Sequence, residues 1–166
     1  MKQKYIDECK VIQQNCTYTA EAHHQIAISE KRKAFWLEVV PAVCAAVSSA
    51  LVAAKVICPG FIFLTIVSSV MTAVCAVINP AKNYQAHLDA AKNFTAMKHD
   101  ARFMHEVMSL KLNDEAFGVA VENLHNQYND LIRNVPPTTP GAFAKAQKIV
   151  QAHVHEPDRD GSGKIQ

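Results

Sequence analysis

From Val39 to Ile78, forty consecutive residues carry a single charged side chain, Lys55. The pattern predicts two apolar helices, 34–54 and 61–80, with a polar turn marked by Lys55 and Pro59-Gly60 between them. Length decides how such helices are read. A charge-free run of sixteen residues, Val39 to Ala54, reaches roughly 24 Å at about 1.5 Å per residue. Extending it back to Ala34 across Glu38 brings it to about 31 Å, against a hydrocarbon core of about 30 Å. The second run, Val56 to Ala81, has no charge and is long enough to cross with some tilt. The expectation is a helical hairpin that crosses a membrane twice within 34–81. Its rival is a hairpin buried inside a soluble helical bundle.

On either side of this stretch the pattern changes from apolar to amphipathic. Tyr5, Cys9, Ile12, Cys16, Thr19, His23 and Ile26 recur at alternating four- and three-residue spacing, the seam of one long helix in 1–33. His87, Ala90, Phe94, Met97, Ala101, Met104 and Met108 repeat that spacing within 82–134. The two seams predict antiparallel arms that bury each other, each continuing its apolar helix with little or no break. Pro41 is expected to kink the first long helix. A further helix is expected from Asp114 to Arg133, capped by Asn113 or Asp114, with Phe117, Val121, Leu124, Tyr128 and Leu131 inward. The proline-rich break that opens 135–155 precedes a short helix with Thr139 as N-cap, Pro140 in its first turn, and Phe143, Ala146, Ile149, Val150 and His153 inward. A polar tail, 156–166, completes the chain. The fold class is therefore all-α: a transmembrane helical hairpin continued into a cytoplasmic antiparallel helical bundle.

Flanking charge orients the hairpin. Lys31, Arg32 and Lys33 precede the first span; Lys82, Lys92, Lys98 and Arg102 follow the second; the turn has only Lys55. The positive-inside tendency puts both termini in the cytoplasm of a two-pass protein of the inner, or plasma, membrane. Trp36 on the first arm and Tyr84 on the second suit an interfacial position. The first thirty residues are polar, so no cleavable signal peptide is expected.

Composition narrows the chemistry. A net charge of +2 in 166 residues, without a basic stripe, argues against nucleic-acid binding. The five cysteines, Cys9, Cys16, Cys44, Cys58 and Cys75, form neither a zinc spacing nor a disulfide framework. Eight histidines include no close ligand spacing, so no metal is expected. With five glycines and no nucleophile–base set, neither a phosphate loop nor a catalytic centre is expected, and no cofactor. Asp158, Asp160, Ser162 and Gly163 match the first half of an EF-hand loop, but the completing glutamate is missing and a polar turn is the better reading.

Three features remain as candidates. His23 and His87 fall at matching membrane-proximal positions of the two seams, where they are placed to meet. Glu38 lies at the cytoplasmic edge of the first span, where a carboxylate either snorkels or rings a pore mouth and favours cations. Small residues form four-residue ladders: Ala42, Ala46, Ala50 and Ala54, with Ala45, Ser49 and Ala53, in the first span; Thr65, Ser69 and Ala73, with Ser68, Thr72 and Ala76, in the second. Such faces let helices approach closely in lipid and predict a homo-oligomer.

The segments W-L-E-V-V-P-A-V, I-N-P-A-K-N-Y-Q-A-H-L-D-A-A-K-N-F-T-A-M-K-H-D-A-R and P-P-T-T-P-G-A-F-A-K-A-Q-K together resemble the SLATT family of two-transmembrane effector domains from bacterial nucleotide-signalling and antiphage systems. The likeness covers roughly 9–154, and Pro80, His87, Ala90 and Ala91 carry its more specific part. It implies a membrane-perturbing or pore-forming effector, switched on by a separate nucleotide-producing or nucleotide-sensing regulator. The reading at this level is an oligomeric membrane effector with membrane lipid and its own copies as partners. The alternatives are a non-conducting two-span scaffold whose cytoplasmic bundle recruits a partner protein, and a soluble bundle.

Overall fold

The computed structural model describes residues 1–55 and 59–152; Val56–Cys58 and 153–166, which include His153 and the Asp158–Gly163 stretch, lie outside the described residues. The described residues are almost wholly helical, without a strand, and two of the helices are long and apolar enough to cross a membrane. Helix α1 runs unbroken over Lys2–Ala53, with Pro41 inside it. Helix α2 is Pro59–Ile78 and α3 is Pro80–Phe103, which passes into a π-helical turn, Met104–Met108, and a last α-turn, Ser109–Lys111. Helix α4 is Asp114–Asn134 and α5 is Pro140–Gln151.

Local chemistry sets these ends. Lys55 closes α1 in a left-handed conformation, φ 56°, with its amide donating to the Val52 carbonyl. The turn expected at Pro59-Gly60 belongs to α2, because a proline fits the first helical position, where its missing N–H costs nothing. One residue, Asn79, separates α2 from α3. Pro80 cannot continue the hydrogen-bond ladder, and Asn79 takes φ 45°. Asn79 then caps the next helix, its Oδ1 accepting from the Lys82 amide at 3.2 Å. Asn113 caps α4 through Ala116 N–H at 2.8 Å, and Thr139 caps α5 through Ala142 N–H at 3.3 Å.

The chain divides into two compact units. The polar unit comprises Met1–Ile26 and Ala86–Gln166. Its core joins Cys9, Ile12, Cys16 and Ala20 of α1 to Phe94, Met97 and Ala101 of α3 and Phe117, Val121 and Leu124 of α4. The expected seam residues Tyr5, Met104, Met108, Tyr128 and Leu131 are half-buried against it. Tyr5 meets Phe117 edge-on, 6.4 Å between centroids. Lys2 ties the start of α1 to the start of α4, donating to the Leu112 carbonyl at 2.7 Å and lying 3.8 Å from Asp114. Helix α5 buries Ala142 and Ala146; Phe143, expected inward, is 46% exposed and leans on Tyr18 at 6.2 Å. The small face of α5 does the burying because two alanines let its backbone come close, which pushes the larger ring to the rim.

The apolar unit, Ala27–Gln85, contains the second half of α1 and all of α2. Here Pro41 and Ser48 are buried, while Phe35, Trp36, Val43, Val47 and Val52 of α1 and Ile62, Phe63, Ile66, Val70 and Val77 of α2 are exposed. Ser68 Oγ donates to the Pro41 carbonyl at 3.1 Å, joining the two helices.

Candidate functional site

Two constellations carry chemistry, one in each unit. In the polar unit, His23 and His87 stand with Nδ1 atoms 2.9 Å apart. At that distance one ring must donate and the other accept, so the two rings hold opposite tautomers at Nδ1. His23 is 1% exposed, and its ring stacks on Phe94, centroids 5.7 Å apart at 19°. Burial, and second the charge of His87, push the His23 imidazole down from 6.5 to about 4. The structure thus brings together two side chains placed at matching seam positions 64 residues apart in sequence. The pair has room for one proton along the Nδ1–Nδ1 line; a second would set two N–H groups against each other.

A groove of about 340 Å³ lies between α1 and α3, lined by Thr17, Glu21, His24, Thr95, Lys98 and His99 together with two alanines. Glu21 is buried and accepts from Gln25 Nε2 at 2.7 Å. Among the described residues no group of three or more His, Cys, Asp or Glu side chains is placed to hold a metal ion. Farther along α3, His105 Nε2 lies 2.6 Å from Gln13 Oε1, and burial lowers the His105 imidazole. Ser109 Oγ donates to the His105 carbonyl at 2.7 Å inside the π-turn. Burial raises the thiols of Cys9 and Cys16 to about 11 and 12, which makes them packing residues and not nucleophiles.

In the apolar unit the predicted residues are all exposed, but only Ser49 and Ser69 of them line the crevice between the two helices. Glu38, Ala42, Ala46, Ser49 and Ala50 of α1 are exposed, as are Ser69, Thr72 and Ala73 of α2. The face α1 turns to α2 is a different one: Pro41 and Ser48 are buried, and Cys44 and Leu51 are half-buried along the same stripe. The alanine ladder is therefore not the intramolecular contact. Ser48, which belongs to neither predicted ladder, is 5% exposed, and its hydroxyl has no hydrogen-bond partner among the described residues. It lines a crevice of about 300 Å³ with Ser49 from α1 and Thr65, Ser68 and Ser69 from α2. The three-and-four spacing of Pro41, Cys44, Ser48 and Leu51 is a seam like those of the arms, and it is the signal that identifies Ser48.

Comparison with protein-family models, curated proteins and solved structures finds no match for this chain. Its function must be read from its own chemistry.

Proposed function

We propose that the chain is an oligomeric two-span membrane effector that perturbs or permeabilises the membrane. One observation carries this reading. Within the apolar stretches of the two long helices, 11% of one window and none of the other is buried by the protein itself. A hairpin serving as the core of a soluble bundle would be covered. A water-exposed surface of Phe35, Trp36, Ile62, Phe63, Ile66 and Val70 would cost about 25 cal/mol for each Å² left in water. Lipid as the solvent removes that cost, and the intrahelical hydrogen bonds of α1 and α2 already satisfy their backbones.

In this arrangement α1 and α2 form an antiparallel hairpin in the inner membrane, both termini are cytoplasmic, and the polar unit is the cytoplasmic helical bundle. The resemblance to SLATT effectors supports the same assignment. Two spans cannot enclose a channel, so conduction requires several copies. The ladder Ala42, Ala46 and Ala50, exposed among the described residues, offers the close-packing face between protomers. Exposed Glu38 then rings the cytoplasmic mouth and draws cations. A separate regulator acting on the cytoplasmic bundle supplies the trigger.

Inducible expression with a membrane-potential dye tests this. Collapse of the potential, weakened by Ala46→Leu and made less cation-selective by Glu38→Gln in reconstituted bilayers, is the expected result. Unchanged potential in cells, together with dye-tight proteoliposomes, would leave the non-conducting scaffold as the better account.

A further inference from the structure

At the end of the apolar unit away from Lys55, positive charge is left without a counter-charge. Lys31, Arg32 and Lys33 follow one another on α1, and all three are exposed. Lys33 is held by Glu30, one turn back. Lys31 and Arg32 have no acidic partner among the described residues, and neither has Lys82, exposed in the first turn of α3. That turn carries no acidic residue, so the positive end of the helix dipole reinforces Lys82. Counted from the Ser68–Pro41 contact, Lys31 and Ile78 are each ten residues away, about 15 Å along their helices, which puts Lys31, Arg32 and Lys82 at one end of the unit. Aromatic rings sit at that end too. Phe35 and Trp36 are each 56% exposed and meet edge-on, 5.5 Å between centroids. At four-residue spacing Phe35 shares a helix face with Lys31, and Trp36 with Arg32, each cation about 6 Å farther from the apolar stretch than its ring. Helical side chains lean toward the N-terminus, so both cations reach away from the apolar stretch. Glu38 lies on the other side of the rings, about 10 Å along the helix from Lys31, and pairs with neither cation.

We propose that Lys31, Arg32 and Trp36, with Lys82 on the second arm, form a collar that binds anionic phospholipid headgroups, phosphodiesters that carry no compensating amine. A face that only needed water would not carry two exposed rings one turn from its cations. A purely apolar anchor would not need the cations. An anionic lipid takes both: its phosphate lies against Lys31 and Arg32, and its ester region lies at the level of the rings. A zwitterionic headgroup offers the same phosphate but brings its own cation into the collar, so it binds less well. This inference rests on the membrane reading and deepens it by naming the lipid class that the cytoplasmic end selects.

Quenching of Trp36 by brominated lipid tests it. The full chain is reconstituted in vesicles of phosphatidylcholine and phosphatidylglycerol, with one or the other brominated high on its acyl chains. Trp36 is the chain's one tryptophan, so the quenching reads the lipid beside the collar itself. Phosphatidylglycerol should be preferred at least about fivefold, the factor that roughly one cation at an anionic surface supplies. Lys31→Gln with Arg32→Gln should bring the two lipids close to equality, and adding Lys82→Gln should remove what preference remains; all three side chains are exposed, so the fold is kept. Lys55→Gln, at the opposite end, should leave the preference unchanged. Equal quenching by the two lipids, or a preference that survives the triple substitution, overturns the collar and leaves the membrane reading intact. Absence of quenching by either lipid overturns both, because Trp36 would then not face lipid. Loss of the preference on adding millimolar glycerol phosphate at constant ionic strength overturns lipid as the occupant, in favour of a soluble phosphate ester.

Discussion

Acidification should loosen the polar unit through His23. Its imidazole is 1% exposed, stacked on Phe94 and hydrogen-bonded to His87 at 2.9 Å. Burial first, and the charge of His87 second, lower it from 6.5 to about 4. A histidine lowered in the folded state favours the neutral form there. Its contribution is therefore complete above the unfolded value near 6.5 and is lost as pH falls toward 4. Over that window the drop from 6.5 to about 4 corresponds to on the order of 3 kcal/mol, a large share of a typical domain stability of about 5–15 kcal/mol. The groups that set it are His87 across the contact and the apolar Phe94 face; no carboxylate is among the causes of the shift. The assay is unfolding of the purified full chain in detergent at a series of pH values, with His23→Gln alongside. The difference between the two proteins should shrink by about 2 kcal/mol between pH 7 and pH 5. Ring-nitrogen NMR should place half-protonation of His23 near pH 4. A His23 that titrates near 6.5, or a stability difference that is flat with pH, refutes the argument. His87→Gln should raise the His23 value only part of the way, since burial is the larger cause.

Other substitutions probe the same packing. Phe117→Ala removes a fully buried ring from the core and should cost about 3–5 kcal/mol in denaturant unfolding. Gly118→Val should destabilise by about 1–3 kcal/mol, because a Cβ there lies 3.1 Å from the Tyr5 ring; Tyr5→Ala in the same chain should recover part of the loss. Thr139→Ala deletes the α5 cap and should cost about 1 kcal/mol, read most clearly as faster amide exchange in Pro140–Gln151. Lys55→Gly should stabilise modestly by relieving a left-handed lysine, visible as a higher melting temperature.

Much of the fold is legible from spacing because each amphipathic helix faces one neighbouring surface. Phe117, Val121 and Leu124 are buried as their period demands, and the caps at Asn113 and Thr139 lie where the residue types put them. His23 and His87 come together because both lie on seams that share one core. Elsewhere, periodicity is a weaker guide. The Asn79-Pro80 break is written in the dipeptide itself, yet the continuous hydropathy around it conceals the interruption. The π-turn at Met104–Met108 has no local sequence signature; it follows from packing, as Met104 and Met108 are drawn toward the core while Ser109 bonds back to His105. Ser48 escapes because small-residue ladders in both helices suggest several faces at once. Only the approach of α2 to Pro41, through the Ser68 hydroxyl, selects the face that is used.

The claim on which the effector reading depends is that lipid is the solvent for the surface of Ala27–Gln85. Alkaline carbonate washing of membranes from expressing cells measures this directly. The chain should stay in the pellet through carbonate and high salt and enter solution only with detergent. Its release by carbonate as a water-soluble species would contradict the account.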